Sequence, residues 1–395
     1  MQKKENNACP CCLAYQKDKL MELYSLSSDR VNVSRVSETF WHEPALCQNC
    51  GHIWNTVPPA ENFLKLYYSN QLPFIFESYS IPKRLKLISS LAKNFSQKTI
   101  LDYGSNAYLT FHSELEKTGW KLNVFDISEK LSSKNLNGKR RFQLITSYFM
   151  LEHVVNPEVQ FKDMYNKTTS NGFIIIELPD SRLYQKFQDG LLPDHQQHFQ
   201  PTSLIALAER CGFNFVMKSN KLCSRNFGFV AVFQKSQQSK HKVYVNKAIP
   251  IDKTVDKKFK IGRKLQLGTI NNVKTAALKI ERQISINQQA IIWGVNFEYQ
   301  LLRENISPSK KIMCVDSDIN KKPHLLFKDQ WFEKTKLLEF LNVGKIQDYP
   351  TESTFIIITA LLHYNYILQE IRNANKEIDV YLFDRFSTVG VVKLE

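Results

Sequence analysis

The chain has 395 residues, a 43% hydrophobic and 12% aromatic share and a formal net charge of +15 at pH 7, which is apolar enough for two or three packed cores and excludes a wholly disordered chain. It contains no apolar run of about 18 residues, and the opening Met-Gln-Lys-Lys-Glu lacks a signal peptide's hydrophobic stretch, so a cytoplasmic, reducing setting without a membrane span is predicted, with the eight cysteines as thiols or metal ligands. Between Lys235 and Arg282, 13 Lys or Arg face three acids, so most of the excess charge sits in one connecting segment and reads as a solvated face rather than a nucleic-acid surface.

Cys9 and Cys12 stand at C-x-x-C spacing, as do Cys47 and Cys50, the second pair followed by Gly51. Two such turns supply the four sulfurs of a tetrahedral zinc shell, so residues 1–60 are predicted to be a four-cysteine zinc-binding module. Cys11 could replace Cys12, and His52 is an alternative ligand. Cys211, Cys223 and Cys314 lie in apolar settings and read as core thiols. A stretch rich in Tyr and Phe, Phe63–Tyr79, follows the module.

From Thr99 to about Lys235, short apolar runs alternate with helical patterns, the signature of βαβ units around a mostly parallel sheet. The runs are Thr99–Tyr103, Lys121–Phe125, Phe142–Ser147 and Gly172–Leu178. The paired Phe213–Lys218 and Phe227–Phe233 look like an antiparallel hairpin closing the sheet. The segment I-L-D-Y-G-S-N-A-Y-L, Ile100 to Leu109, is a strand entering a tight turn and a helix. Such a turn lets a ligand approach the backbone, with Asp102 and Gly104 the expected contacts. Asp126 ends the next strand, where an acidic side chain accepts hydrogen bonds from a ribose diol.

The third element, F-Q-L-I-T-S-Y-F-M-L-E-H-V-V-N-P from Phe142 to Pro157, closely resembles the fourth strand and following turn of class I S-adenosylmethionine-dependent methyltransferases. N-G-F-I-I-I-E-L-P-D, Asn171 to Asp180, looks like that family's fifth strand, and a further match runs from Asp194 to Phe213. The resemblance implies an α/β fold at residues 61–236, a Rossmann-like methyltransferase domain on a seven-stranded type of sheet. It implies S-adenosylmethionine as cofactor, held by Asp102, Gly104, Ser105, Asn106, Asp126, Ser147 and Met150.

With the zinc module and the second α/β region, the chain resembles the zinc-containing sugar C-methyltransferases more narrowly, most specifically at Gly104-Ser105-Asn106 and Asp194-His195. That likeness implies a nucleotide-linked sugar as substrate. It makes His195 the base that forms an enolate beside a ketone, with Asp194 in place of the family's Glu and His198 as a second candidate. Glu152 and His153 read as a structural or cofactor-adjacent turn, and Tyr67 and Tyr68 as substrate-side or packing residues.

Two departures weigh on the cofactor site. The family's G-S-N-D-G turn has Ala107 and Tyr108 at its last two positions, which narrows the room there. Only 15 residues separate Asp126 from Phe142, so the third strand is shortened. Methyl transfer to oxygen or nitrogen of another small metabolite, or a catalytically silent binding protein, are the alternative readings. The segment 237–288 is expected to be a basic linker with a helix from about Asn272 to Ile286. Residues 289–395 are expected to form a second Rossmann-like α/β domain, with strands Ala290–Trp293, Lys311–Val315, Thr354–Ile358 and Glu377–Phe383. Its opening turn, I-I-W-G-V-N-F-E-Y-Q-L-L from Ile291 to Leu302, lacks the later glycines of a dinucleotide turn, so that domain is expected to supply substrate-facing surface or interdomain support rather than bind a dinucleotide.

Overall fold

In the computed structural model of the chain, the described residues are 8–14, 17–19, 24–27, 39–60, 64, 81–93, 95, 97–104, 109–126, 133, 140–187, 191, 194–236, 251–285, 289–294, 302, 305–306, 312–315, 338–341, 353–359, 364–374, 377–384 and 391–394. They belong to two compact units, Met1–Ser28 with Ser37–Arg263, and Asp29–Val36 with Lys264–Glu395.

The first unit begins with β1 (Lys17–Lys19), the antiparallel pair β2 (Tyr24–Ser27) and β3 (Thr39–His42), and the hairpin β4 (Pro44–Cys47) and β5 (Ile53–Asn55). β1 pairs antiparallel with β4. Every residue of β4 and β5 is buried, and the second cysteine pair forms the turn between them. Helix α1 (Ile81–Ala92) buries Ile81, Arg84, Leu87, Ile88 and Leu91, the three- and four-residue spacing of one helix face.

Strand β6 (Thr99–Tyr103), α2 (Leu109–Lys117), β7 (Lys121–Phe125), β8 (Phe142–Tyr148), α3 (Pro157–Lys167) and β9 (Thr168–Pro179) then alternate as the sequence predicts. Leu144, Ile145, Ile174, Ile175 and Ile176 are all buried, because the parallel strands have both faces covered and therefore read as unbroken apolar runs. Asn156 caps α3 by accepting from the Val159 N–H, with Pro157 in the first turn, where no amide partner is needed. After β10 (Gln197–His198) and α4 (Pro201–Arg210), β11 (Phe213–Ser219) and β12 (Gly228–Lys235) form the expected antiparallel hairpin.

The strand order is β11-β12-β9-β8-β6-β7, with β12 antiparallel to β9 and the β9, β8, β6, β7 set parallel. Six strands stand among the described residues where a seven-stranded type was expected. Residues 127–132 and 134–139, where the further strand would come, lie outside them.

Strand β10 pairs antiparallel with β5, Gln197 opposite Trp54 and His198 opposite Ile53, in one sheet with β1 and β4. One core cluster runs from Cys9, Cys47, Cys50 and Trp54 to Phe199, Leu204 and Ile205. Helix α5 (Val255–Ser285) starts well before the expected Asn272. Its Val255 and Phe259 pack with Leu46, Ile53, Tyr184 and Leu191, so the first turns of this helix are core-forming, while residues 237–250 of the basic segment lie outside the described residues.

In the second unit, Val273, Ala276, Ala277 and Ile280 of α5 pack against β13 (Gln289–Trp293), β14 (Ile312–Val315) and β16 (Thr354–Ile358). With β15 (Leu338–Leu341), α6 (Tyr364–Ala374), β17 (Asp379–Phe383) and β18 (Val391–Leu394), these make a sheet of order β15-β14-β13-β16-β17-β18, antiparallel only at β18. The order reverses between β14 and β16, on either side of β13, which is a Rossmann-like arrangement.

Candidate active site and metal centre

The four predicted cysteines come together. The sulfurs of Cys9, Cys12, Cys47 and Cys50 all lie within 4.8 Å of one another, with Cys9 to Cys50 at 3.6 Å and Cys12 to Cys47 at 3.5 Å. A tetrahedral shell with zinc–sulfur bonds of about 2.3 Å has sulfurs about 3.8 Å apart, so the donor set fits zinc.

Each knuckle is closed by its own backbone. Leu13 N–H donates to Cys9 C=O, and Gly51 N–H to Cys47 C=O at 2.8 Å. Gly51 has a φ of +71°, and a Cβ there would lie 1.6 Å from Gln200 Nε2. Cys11 is buried beside this group but outside the four, and its carbonyl accepts from Arg210 Nε. His52, the alternative ligand, is fully buried and uses Nε2 on Gln197 Oε1 at 2.8 Å while stacking on Trp54. Among the described side chains no cysteine is in a disulfide, Cys211 and Cys223 lie in the core, the side chain of Cys314 lies outside the description, and no described helix is long and apolar enough to cross a membrane.

At the carboxyl edge of the large sheet, Gly104 turns at φ +78° and donates its N–H to Phe125 C=O at 2.7 Å, so the end of β6 lies against the end of β7 and the half-buried Asp126. A Cβ on Gly104 would meet Met150 Cγ at 2.2 Å, which brings the turn after β8 to the same place. Ser147, at the end of β8, is buried with no hydrogen-bond partner for its hydroxyl among the described residues. Asp102 is buried, and both its oxygens are engaged within the chain: Thr146 Oγ1 donates to Oδ1 at 2.8 Å, and His112 Nε2 lies 2.7 Å from Oδ2. That carboxylate braces β6 against β8 and α2. Gly104, Asp126, Ser147 and Met150 thus gather at three strand ends. Ser105, Asn106 and Tyr108, together with Tyr67 and Tyr68, lie outside the described residues.

Beside this edge, the turn after β8 meets the loop that carries Asp194, His195 and His198. Phe149 adopts the left-handed φ of +52°, unusual for a bulky side chain, and its N–H donates to Glu177 C=O. The Glu152 carbonyl accepts from both Gln196 N–H at 2.7 Å and Gln197 N–H at 2.9 Å, stapling the two segments. Asp194 Oδ2 lies 3.1 Å from His153 Nδ1, and the His153 and His195 rings meet edge to face with centroids 4.6 Å apart. His198 Nδ1 is 3.0 Å from Tyr184 Oη. Of the predicted acid–base residues, Asp194, His195 and His198 are all buried and close together, and the structure adds Glu152 and His153 to them.

Burial pushes the Glu152 carboxyl up to about 7. Burial alone would lower His153, but the Asp194 carboxylate outweighs it and raises the imidazole to about 9, while the same pairing holds Asp194 well below the usual range.

A further buried group has no counterpart in the sequence reading. Arg84 donates to Glu177 Oε2 from Nη2 at 2.7 Å and from Nε at 3.1 Å, and its guanidinium lies 3.6 Å from the centroid of the Tyr148 ring. Ser224 completes the carboxylate's shell through its N–H and its hydroxyl. The signal that could have found it is an arginine on the apolar face of α1.

Residues 76–218, less than half of the chain, match a family model described as a methyltransferase domain. No curated protein matches the chain. Among solved structures it is similar to an S-adenosylmethionine-dependent methyltransferase from Mesorhizobium loti, with 12% identity and a TM-score of 0.31 over 39% of this chain and 98% of that one. It is similar to the N-methyltransferase NodS from Bradyrhizobium japonicum, in complex with S-adenosylhomocysteine, with 14% identity and a TM-score of 0.29 over 39% of this chain and 88% of that one. It is also similar to the 1,6-didemethyltoxoflavin-N1-methyltransferase of Burkholderia thailandensis, with 13% identity and a TM-score of 0.34 over 49% of this chain and 100% of that one.

Proposed function

We propose that this chain transfers a methyl group from S-adenosylmethionine to a carbon of a small polar acceptor, a nucleotide-linked keto sugar being the expected class. The observation that carries the reading is the gathering, inside the matched domain, of Gly104, Asp126 and the Ser147 hydroxyl, which has no partner among the described residues, at adjoining strand ends. In this reading Asp126 accepts from a ribose diol, Gly104 keeps the backbone close to the ligand, and Ser147 offers a buried hydroxyl. Asp102 acts from behind, holding the turn. When bound, S-adenosylmethionine supplies the electrophilic methyl group.

The acceptor's proton goes to a histidine of the buried loop, His195 first and His198 second, with Asp194 fixing the charge of the cluster. The balance is simple: the acceptor C–H gives its proton to the imidazole, a C–C bond forms, the sulfonium S–C bond breaks, and S-adenosylhomocysteine leaves. Zinc held by Cys9, Cys12, Cys47 and Cys50 has a structural part, since a shell of four thiolates leaves no open position. The β5–β10 pairing extends that support to the histidine loop.

The test uses methyl-labelled S-adenosylmethionine with a panel of nucleotide-linked keto sugars, read by NMR. A labelled C-methyl product supports the reading. Label on oxygen or nitrogen would overturn the carbon assignment, and no transfer to any acceptor would overturn the substrate class.

A further inference from the structure

We propose that Glu152, His153 and His195 form a second metal site, for a divalent first-row transition ion, separate from the four-cysteine centre. One ligand atom from each of the three residues lies within 4.8 Å of the others. His153 Nε2 is 4.0 Å from Glu152 Oε1, and the His195 ring stands edge-on to that of His153. Two imidazoles and a carboxylate form a donor set that first-row divalent ions accept with coordination positions left open. Nitrogen and oxygen donors at about 2.1 Å from one ion sit roughly 3 to 3.5 Å apart, so side-chain shifts of about an ångström close the shell.

Two observations beyond proximity point to an ion. Glu152 is 1% exposed, and its Oε2 has no hydrogen-bond partner among the described residues. A bare buried carboxylate oxygen is unfavourable, and a cation is the partner that relieves it. In addition, His153 turns Nδ1 to Asp194 Oδ2 at 3.1 Å, which leaves Nε2 for the ion. An outer carboxylate on the far nitrogen is the arrangement that orients a metal-bound histidine. The donors are also held in advance, since the Glu152 carbonyl takes the N–H groups of Gln196 and Gln197 and so ties the two ligand-bearing segments together.

The site stands on these contacts whether or not the methyl-transfer reading holds. Within that reading, the ion polarises an acceptor oxygen and occupies His195, which passes proton removal to His198.

The full chain is stripped of metal and titrated with Co²⁺, with total bound metal measured by mass spectrometry and the cysteine-bound share by its thiolate charge-transfer absorption. One equivalent of Co²⁺ beyond the thiolate share is expected in the native chain. Glu152→Gln and His153→Ala should each lose that equivalent and keep the thiolate band. The isosteric Glu152→Gln carries the test should His153→Ala fail to fold. No metal beyond the thiolate share in the native chain, or an extra equivalent that survives both substitutions, would overturn the site. Heat of S-adenosylmethionine binding, recorded on the same samples, separates failure of this site from failure of the methyl-transfer reading.

Discussion

The imidazole of His153 sits between two carboxylates, with Nδ1 3.1 Å from Asp194 Oδ2 and Nε2 4.0 Å from Glu152 Oε1. Asp194 therefore acts through His153 as an orienting group. Replacing it by Asn keeps the shape and removes the charge, which should weaken Co²⁺ at the Glu152–His153–His195 site about 10- to 100-fold. Competition with a chelator of known affinity measures the change, and the thiolate-bound metal serves as an internal control.

The Arg84–Glu177 pair is buried on both sides, at 1% side-chain exposure each. Arg84→Met leaves a carboxylate without its cation and should cost about 3–5 kcal/mol in urea denaturation. Arg84→Met combined with Glu177→Leu should recover much of that loss, because the isolated buried charge is then gone. Equal stability of the single and double variants would contradict the pairing account.

Gly51 closes the second cysteine knuckle at positive φ with Gln200 against it. Gly51→Ala introduces both left-handed strain and a collision, and should lower stability by about 1–3 kcal/mol. It should also speed metal release, followed with a chromogenic chelator. The close contact of Gly51 with Gln200, whose Nε2 donates to the Gly51 carbonyl, is the reason the effect should reach the histidine loop.

Burial pushes the carboxyl of Glu209 up to about 7, and its Oε2 finds no partner among the described residues. Its folded value lies above its unfolded one, so the neutral form favours the fold. The contribution is full below the ordinary carboxylate range and is lost as pH rises through about 7. Glu209→Gln should therefore raise the melting temperature by about a degree or two at pH 8 and leave it unchanged at pH 4. The group is only partly buried, which keeps the effect small.

Much of this architecture is legible in the sequence because it is local. Two C-x-x-C spacings mark the knuckles, unbroken apolar runs mark the buried parallel strands, and the runs at Phe213 and Phe227 mark the closing hairpin. The early start of α5 is not legible, since the apolar residues Val255 and Phe259 are embedded among lysines. Partnerships across long separations are hidden for a different reason. Arg84 meets Glu177 across 93 residues and His52 meets Gln197 across 145, and nothing in either neighbourhood of sequence names the other. The same holds for His153, which reads as part of a structural turn until the loop carrying Asp194 and His195 folds onto it.

The central claim is a pocket for S-adenosylmethionine at the ends of β6, β7 and β8, with Asp126 gripping the ribose. Calorimetry of the full chain with S-adenosylmethionine tests it most directly. The account predicts saturable binding at one molecule per chain, weakened about 10- to 100-fold by Asp126→Ala, the usual worth of a charged hydrogen-bonding partner. An absence of heat, or binding that Asp126→Ala leaves intact, would contradict it.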